Sequence, residues 1–537
     1  MTAAYWQEPT TDASVDQSLR LDTMLDQATA RYPDREAIAY LPESDAPVRM
    51  TYVQLADAVE HTARALLASG IRRGGVIAHY ASNRLEFVLL QLACARLGAT
   101  MVPVDPTYRA REIEDLLGRA EVEICFTASH DQRRGLAREL SSIAGSLPKL
   151  RTIVHLDTGW QGWLDGSASV NADEYESARA RAQAGDVVQI QFTSGTTGRP
   201  KGVRISNAAF ANMGRLLALR AGIEPGCRFI HTMPFFHVAG TNVIALNLAQ
   251  AGTHVFQPRF SPDAMAAAVD VEQATVILAV PSMLISLASS AEASELDFAN
   301  LRTVLTGAAQ LSERTARHWI DTYGVAVSNT YGMTEITGPA LQTAATDSLE
   351  RTLTTVGRPL PGIEVEVVAV GTSRRLSIGE EGEVRFRGWG LMESYHGDAE
   401  ATTAAVSADG WLRSGDLGVL DGDGYLRISG RAKDLIIRGG QNISPSAVEE
   451  AIRAVAHEVV DVSVVGAPDD YYGEIVCAFV ILRPGTSLSV EDLARRLEDH
   501  VAHHMIPARV IAVDTFPMTP SGKVQKYRLR GQLSSQV

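Results

Sequence analysis

The chain has 537 residues, with 49 basic against 63 acidic side chains, a net charge of −14 and a pI near 5.5. A single hydrophobic core stops growing near ~250–300 residues, so at least two domains are expected, and 45% hydrophobic with 21% charged residues excludes a disordered or membrane-spanning chain. The acidic balance argues against nucleic-acid or anionic-membrane partners, so any anionic ligand must be held by a local site.

In chain order, no basic residue precedes Arg20, while Glu8, Asp12 and Asp16 interrupt the first stretch. The expectation is no signal peptide, no bilayer-spanning run, no lipidation signal at Gly531 to Val537, and a cytoplasmic protein. Residues 51–69 place Leu55, Val59, Ala63 and Leu66 at helical spacing before Gly70, and RLEFVLLQLACARLG repeats the design up to Gly98. MVPVDP, VVQIQF (187–192), ATVILAVP (274–281) and LRTVLTG (301–307) read as strands alternating with helices, which predicts α/β architecture with largely parallel sheets. From about Val356 the texture changes to short strands separated by Gly and Asp turns, as in VEVVAV, GEVRFRG, WLRSGDLG and GYLRISG, predicting a small antiparallel or barrel-like unit. After Gly430 a small α+β domain is expected, with helices at 445–457 and 490–504 and strands at VSVVGA and CAFVILR. Cysteines at 94, 125, 227 and 477 are too few and scattered for a disulfide framework or metal site, which fits a reducing compartment. His500, His503 and His504 lack a carboxylate or cysteine to complete a metal site and read as a polar helix face.

Arginine outnumbers lysine 44 to 5, the lysines being Lys149, Lys201, Lys433, Lys523 and Lys526. Such scarcity asks what an ammonium does where a guanidinium does not serve. Lys201 lies in FTSGTTGRPKGV (192–203), where a strand enters a turn of Thr193, Ser194, Gly195, Thr196, Thr197 and Gly198. Small hydroxyl residues and glycines let backbone N–H groups converge on an anion, and Lys201 adds charge. The spacing is not that of a Walker loop, and neither a GxGxxG fingerprint nor a GxSxG nucleophile elbow is present.

This segment resembles the phosphate-binding loop signature of the adenylate-forming superfamily: acyl-CoA synthetases, peptide-synthetase adenylation domains and luciferases. NTYGMTE (329–335), GWLRSGDLG (410–418), GYLRISGRAKDLIIRGGQNISP (424–445) and PSGKVQK (520–526) resemble the later motifs, in order, so the resemblance extends from at least Leu25 to Arg530. It implies a large domain, 1–430, of two α/β sheet subdomains plus a small β-barrel-like subdomain, followed by a small mobile α+β domain, 431–537. It also implies ATP, Mg²⁺ and coenzyme A. A carboxylate attacks the α-phosphorus of ATP, pyrophosphate leaves, and a thiol then displaces AMP to give a thioester.

The resemblance gives Glu335 the Mg²⁺ and Thr334 the α-phosphate. Tyr331 lies against adenine, Gly307, Ala308 and Ala309 let the base approach, and Asp416 accepts from the ribose hydroxyls with Arg431 nearby. Asn329, Thr330, Gly332, Met333 and Ile428 fall in the same nucleotide motifs. Lys523 contacts the carboxylate and α-phosphate during adenylation. Lys433 stands at the hinge, Gly439 and Gly440 line the pantetheine channel, and Lys526 is a bystander or touches the CoA nucleotide.

For the acid, MPFFHVAGTN (233–242) resembles the acyl-pocket entrance. Amino-acid adenylation domains carry an Asp just after the aromatic there; this chain has His237, which argues against an α-amino acid. Acetyl-specific relatives place a Trp where Gly332 stands, closing the pocket, and the glycine is expected to leave it open. With Phe235, Phe236, Val238, Met333 and Ile336 nearby, a sizeable, mostly apolar carboxylic acid is expected, with His237 either gating the carboxylate or serving as a core histidine satisfied by hydrogen bonds. The expected enzyme is an ATP-dependent acyl-CoA synthetase. An acyl-AMP ligase loading a carrier-protein phosphopantetheine and a catalytically silent ligand-binding relative are the alternatives, and monomer or homodimer is left open. Light emission has no specific support.

Overall fold

A computed structural model describes residues 3–7, 15–193, 199–438, 441–469, 471–498, 500–518 and 524–534. By its internal contacts the chain divides into two units: Gln7–Glu364 with Phe386–Leu412, and Met1–Trp6 with Val365–Arg385 and Arg413–Val537.

The first unit carries two large sheets. In the nine-stranded one, Ala326–Met333, Thr303–Gly307, Val276–Leu278, Arg228–His231, Thr253–Phe256 and Glu36–Tyr40 run parallel in that order. Antiparallel strands flank them: Gly338–Gln342 and Arg358–Pro359 on one side, Val48–Thr51 on the other. The seven-stranded sheet has the order Ser394–Tyr395, Lys201–Ser206, Val187–Thr193, Thr100–Val104, Val76–Tyr80, Ile124–Thr127, Thr152–His155. Its first three strands are antiparallel neighbours and the rest are parallel. The predicted strands at 187–192 and 301–307 are these strands, whereas 274–281 forms strand only over Val276–Leu278.

Helix formation follows local chemistry. Thr51 caps Tyr52–Ala68 by accepting from the Gln54 N–H, and the Gln54 side chain accepts from the Thr51 N–H, a reciprocal capping box. Leu85–Leu97 is buried almost all round and stops at Gly98, which is left-handed at φ +64°. A Cβ there would lie 2.3 Å from the Asp186 carboxylate, so both conformation and space demand glycine.

One feature of the nine-stranded sheet is invisible in the sequence. His231 and His254, on adjacent parallel strands, are fully buried with rings stacked at 5.0 Å and Nε2 atoms 2.7 Å apart, and Phe235 and Phe256 pack around them.

A five-stranded sheet, most of whose residues fall in the second unit, has the order Tyr5–Gln7, Ile363–Val368, Glu381–Gly388, Leu412–Leu420, Leu426–Arg431. The recruitment of the N-terminal strand had no sequence signal. The last sheet pairs Gln441–Ile443, Ile436–Arg438, Gly473–Leu482 and Val459–Asp469, with Arg509–Ala512 added in parallel to Gly473–Leu482. Helices Pro445–Val455 and Val490–Leu497 bury Val448, Ile452, Leu493 and Leu497 against it. The second helix corrects the sequence expectation of 490–504. It ends at Leu497, and His503 and His504 lie in a separate short 3₁₀ turn, so His500 and His504 do not share a helix face.

Candidate active site

Within the first unit the motif residues gather where parallel strands end. Gly307 closes one strand and pairs in register with Thr330 on the next; Ala308 and Ala309 follow the end of the first, while Tyr331–Met333 continue the second, paired with Gly338–Gln342, up to Thr334 and Glu335. Met233–His237 follows another strand of the same parallel set, Arg228–His231. Carboxyl ends of parallel strands are where α/β sheets place ligand sites.

Ala308 has φ +65°, a left-handed conformation that costs a non-glycine residue, and both Ala308 and Ala309 are exposed. Strain held at an exposed strand end fits a surface built for a flat base. Gly307 is small for another reason. Its missing Cβ would fall 2.4 Å from Thr330 Oγ1 and 2.5 Å from the Thr330 carbonyl, so glycine there serves strand contact. Thr330 Oγ1 donates to the Thr306 carbonyl at 2.9 Å. Asn329 faces inward: its side-chain amide donates to the Thr355 and Thr352 carbonyls at 3.1 and 3.4 Å, making it a strut beneath the motif rather than a group presented to a ligand. Tyr331, half-buried, has its ring 6.1 Å from that of Phe386.

Gly332 also departs from its sequence reading as an opening into the acyl pocket. A Cβ on it would lie 1.8 Å from the Gly338 carbonyl oxygen, because the antiparallel strand Gly338–Gln342 crosses there. Half-buried Met333 precedes the 3₁₀ turn Thr334–Ile336. Thr337, at φ +63°, closes that turn through its N–H to the Thr334 carbonyl at 2.9 Å, with its hydroxyl bonded to the Gly390 carbonyl at 2.7 Å.

Glu335 is 9% exposed, and its Oε1 accepts from the Tyr395 hydroxyl at 2.8 Å. Burial, then the Glu335 charge, pushes the Tyr395 phenol above its ordinary range, so the phenol stays a donor. An ionised carboxylate keeps further acceptor sites when one is used. Among the described residues no three His, Cys, Asp or Glu side chains cluster to hold a metal. Mg²⁺ is bound through one or two carboxylates plus substrate phosphates and water, and the free acceptor sites of Glu335 suit one such carboxylate.

The phosphate-loop expectation falls partly outside the described residues: Ser194, Gly195, Thr196, Thr197 and Gly198 are not among them. Its flanks are fixed. Thr193 and Lys201 are cross-strand partners, and Lys201 Nζ stands 4.8 Å from the Tyr395 ring centroid. The helix Ala110–Arg119 ties both ends down, as sequence reasoning missed. Arg199 Nε donates to Asp115 at 3.1 Å, and Arg119 donates to the Pro200 carbonyl at 2.8 Å while lying over the Phe192 ring at 5.0 Å. The Arg199 hydrogen bond is the main cause that holds the Asp115 carboxyl below its ordinary value.

The acyl segment needs a correction. Phe235 is 2% exposed, stacked on Phe87 at 4.6 Å, and Ile336 is fully buried, so both are core. Phe236, His237 and Val238 are half-buried, and His237 precedes the helix Val238–Gln250 with its ring 4.9 Å from Phe236.

Within the second unit, Asp416 and Arg431 are register partners on adjacent strands, and Arg431 Nε lies 3.0 Å from Asp416 Oδ1. Asp416 is 8% exposed, and Ile428 is half-buried opposite Gly418. Lys433 occupies the 3₁₀ turn Ala432–Asp434, where partial desolvation first and the Arg431 charge second hold its ammonium below the ordinary lysine value. Lys526 is held in an ion pair with Glu449 at 2.8 Å. Gly439, Gly440 and Lys523 lie outside the described residues.

The chain matches the AMP-binding enzyme family over residues 25–396 and that family's C-terminal domain over residues 447–523. It belongs to the AMP-binding enzyme family. This family member is 30% identical over 545 residues to the mitochondrial medium-chain acyl-CoA ligase ACSF2 of Danio rerio, covering 97% of this chain and 89% of that one. It is 32% identical over 516 residues to the indoleacetate–CoA ligase of Aromatoleum aromaticum, covering 95% and 98%. Its fold matches ATP-bound MatB from Rhodopseudomonas palustris with a TM-score of 0.83 at 28% identity, covering 96% of this chain and 99% of that one. The enzyme is an ATP-dependent, AMP-forming acid–thiol ligase of the acyl-CoA synthetase branch, working through an acyl adenylate with ATP, CoA and Mg²⁺. Among its described residues, no helix is long and apolar enough to cross a membrane.

Proposed function

We propose that the enzyme activates a sizeable, mostly apolar monocarboxylic acid and transfers the acyl group to free CoA in the cytoplasm. The observation that carries the acid class is the half-buried set Phe236, His237 and Val238, with no carboxylate anywhere in MPFFHVAGTN to pair with a substrate ammonium. Relatives named for a medium-chain acid and for an aryl acetate support the same class.

ATP and Mg²⁺ supply the electrophilic phosphorus and the charge neutralisation. The chain's part is positioning and electrostatics. Glu335 holds the metal, Thr334 donates to the α-phosphate, and Thr193 and Lys201 flank the phosphates at the base of the loop. Ala308, Ala309 and Tyr331 bound the adenine, Asp416, held by Arg431, accepts from the ribose, and His237 faces the acid carboxylate. Lys523 bridges the carboxylate and α-phosphate, and Gly439 and Gly440 pass the pantetheine. Lys433 serves as the hinge of a small domain, 431–537. That boundary is supported by one sheet ending at Arg431 and the next beginning at Ile436.

ATP–pyrophosphate exchange across a panel of carboxylic acids tests the acid class. Exchange is expected with medium-chain and aryl acids, and exchange confined to acetate or an α-amino acid overturns it. AMP release on adding free CoA tests the acceptor, and release only on adding a phosphopantetheinylated carrier protein overturns it. Asp416→Asn is expected to raise KM for ATP about ten- to a hundredfold, since charge-assisted hydrogen bonds contribute ~1.5–3 kcal/mol. Measured at saturating acid, an unchanged KM removes Asp416 from the nucleotide site.

A further inference from the structure

One buried side chain touches both the carboxylate assigned to Mg²⁺ and the lysine assigned to the phosphates. Tyr395 is 7% exposed and ends the two-residue strand Ser394–Tyr395, paired antiparallel with Lys201–Ser206. Its hydroxyl donates to Glu335 Oε1 at 2.8 Å, and its ring lies 4.8 Å from Lys201 Nζ. The backbone around it is fastened to both partners' elements: the Met392 N–H to the Glu335 carbonyl at 2.8 Å, the Glu393 N–H to the Arg204 carbonyl at 2.9 Å, and the His396 N–H to the Gly202 carbonyl at 2.6 Å. The Tyr395 N–H donates to Thr402 Oγ1 at 3.0 Å. The segment 392–396 thus joins Glu335, at the end of a strand of the nine-stranded sheet, to Lys201, at the start of a strand of the seven-stranded sheet.

We propose that Tyr395 is a positioning residue for adenylation: it fixes the Glu335 carboxylate for Mg²⁺ and the Lys201 ammonium for the phosphates while holding those opposite charges apart. A direct ion pair between Glu335 and Lys201 would consume the acceptor that the metal requires and the donors that the phosphates require. The phenol avoids this at both ends. Its hydroxyl occupies one position on a carboxylate that has several, and its ring face attracts the ammonium through the quadrupole without neutralising it. The proposal rests on the reading of Glu335 as the metal carboxylate.

Tyr395→Phe keeps the ring and removes only the donor. Mn²⁺, standing in for Mg²⁺, is titrated by electron paramagnetic resonance against enzyme saturated with the non-hydrolysable α,β-methylene analogue of ATP, a readout independent of turnover. Y395F is expected to weaken Mn²⁺ about ten- to a hundredfold, the range of a lost hydrogen bond to a charged group. It should raise the Mg²⁺ requirement of ATP–pyrophosphate exchange in parallel and leave thioester formation from pre-made acyl adenylate unchanged. Tyr395→Leu also removes the ring and is expected to add a rise in KM for ATP of about two- to thirtyfold. Unchanged Mn²⁺ affinity in Y395F, or equal loss of both half-reactions, overturns the proposal. Glu335→Gln separates the two readings: retained Mn²⁺ affinity in E335Q overturns the metal assignment and the proposal together, whereas weakened affinity in E335Q with wild-type affinity in Y395F overturns the role of Tyr395 alone.

Discussion

Replacing Lys523 by arginine is expected to cut ATP–pyrophosphate exchange about a hundred- to a thousandfold, the cost of removing one donor from developing charge, while transfer of a pre-made acyl adenylate to CoA keeps most of its rate. The two halves separate because the assigned work of Lys523 belongs to the first. In the proposed reading it serves between a carboxylate oxygen and a phosphoryl oxygen as they become joined through phosphorus. A compact ammonium with rotatable donors fits between two such anions, whereas a planar fork holds its donors in a fixed plane. In a chain with 44 arginines and five lysines, a lysine at this position is a choice of shape as well as charge. The segment is fastened at both ends: Met518 and Val524 form a β-bridge, the Gln525 N–H donates to the Pro517 carbonyl at 2.7 Å, and Lys526 pairs with Glu449 at 2.8 Å. Exchange measured with K523R and K523A should fall alike, with unaltered thermal unfolding. Normal exchange in K523R removes Lys523 from the adenylation centre, and equal loss in both halves points to a damaged fold.

Much of this chemistry was legible because the nucleotide motifs are local. Their glycine and hydroxyl spacings fall within about ten residues, so each could be placed on its strand end or turn before any contact was known. Interactions between distant segments were not legible. Tyr395 lies 60 residues from the carboxylate it binds, in GWGLMESYHG, where neither periodicity nor a turn signal marks it. Phe235 and Phe236 are adjacent and alike in the sequence, yet the turn between the strand Arg228–His231 and the helix Val238–Gln250 sends the first into the core against Phe87 and leaves the second half-buried. Gly307 and Gly332 drew attention as room for ligands, while their missing Cβ atoms answer first to neighbouring backbone. The helix forecast over 490–504 overran for a related reason: Val501 continues the apolar spacing of Leu493 and Leu497, but the chain has already left the helix at Leu497.

Below about pH 6 the enzyme is expected to lose stability steeply, and buried histidines set the onset. Burial is the main cause that pushes His79 and His231 down to about 3 and holds His254 well below the ordinary histidine value, with the Arg84 charge adding to the first and His231 to the last. The His231 and His254 Nε2 atoms are 2.7 Å apart, so one donates and the other accepts. A proton on the acceptor would set two N–H groups head to head in a pocket lined by Phe235 and Phe256. The unfolded chain takes up protons at these three sites near pH 6.5, whereas the folded chain does so only near pH 3 at His79 and His231 and well below the ordinary histidine value at His254, so the unfolded state binds more protons as the pH falls below 6.5. Stability is therefore complete above about pH 6.5 and is lost as the pH falls. Each histidine contributes a slope of up to ~1.4 kcal/mol per pH unit, and the three together ~4 kcal/mol per pH unit, against a total stability of about 5–15 kcal/mol for a typical domain. Carboxylates held below their ordinary values, such as Asp115 and Asp157, act lower in pH, through and below the carboxylate range, whereas Asp22 and Asp105, raised by burial, oppose the histidine slope, so comparison with a histidine variant isolates the histidine contribution between pH 6.5 and 5. Urea midpoints followed across that interval should fall with each step. Replacing His79 by Gln should lower the slope by about one proton whatever it does to stability at pH 8. A flat profile, or an unchanged slope in H79Q, would mean that these side chains exchange protons with solvent in the native state.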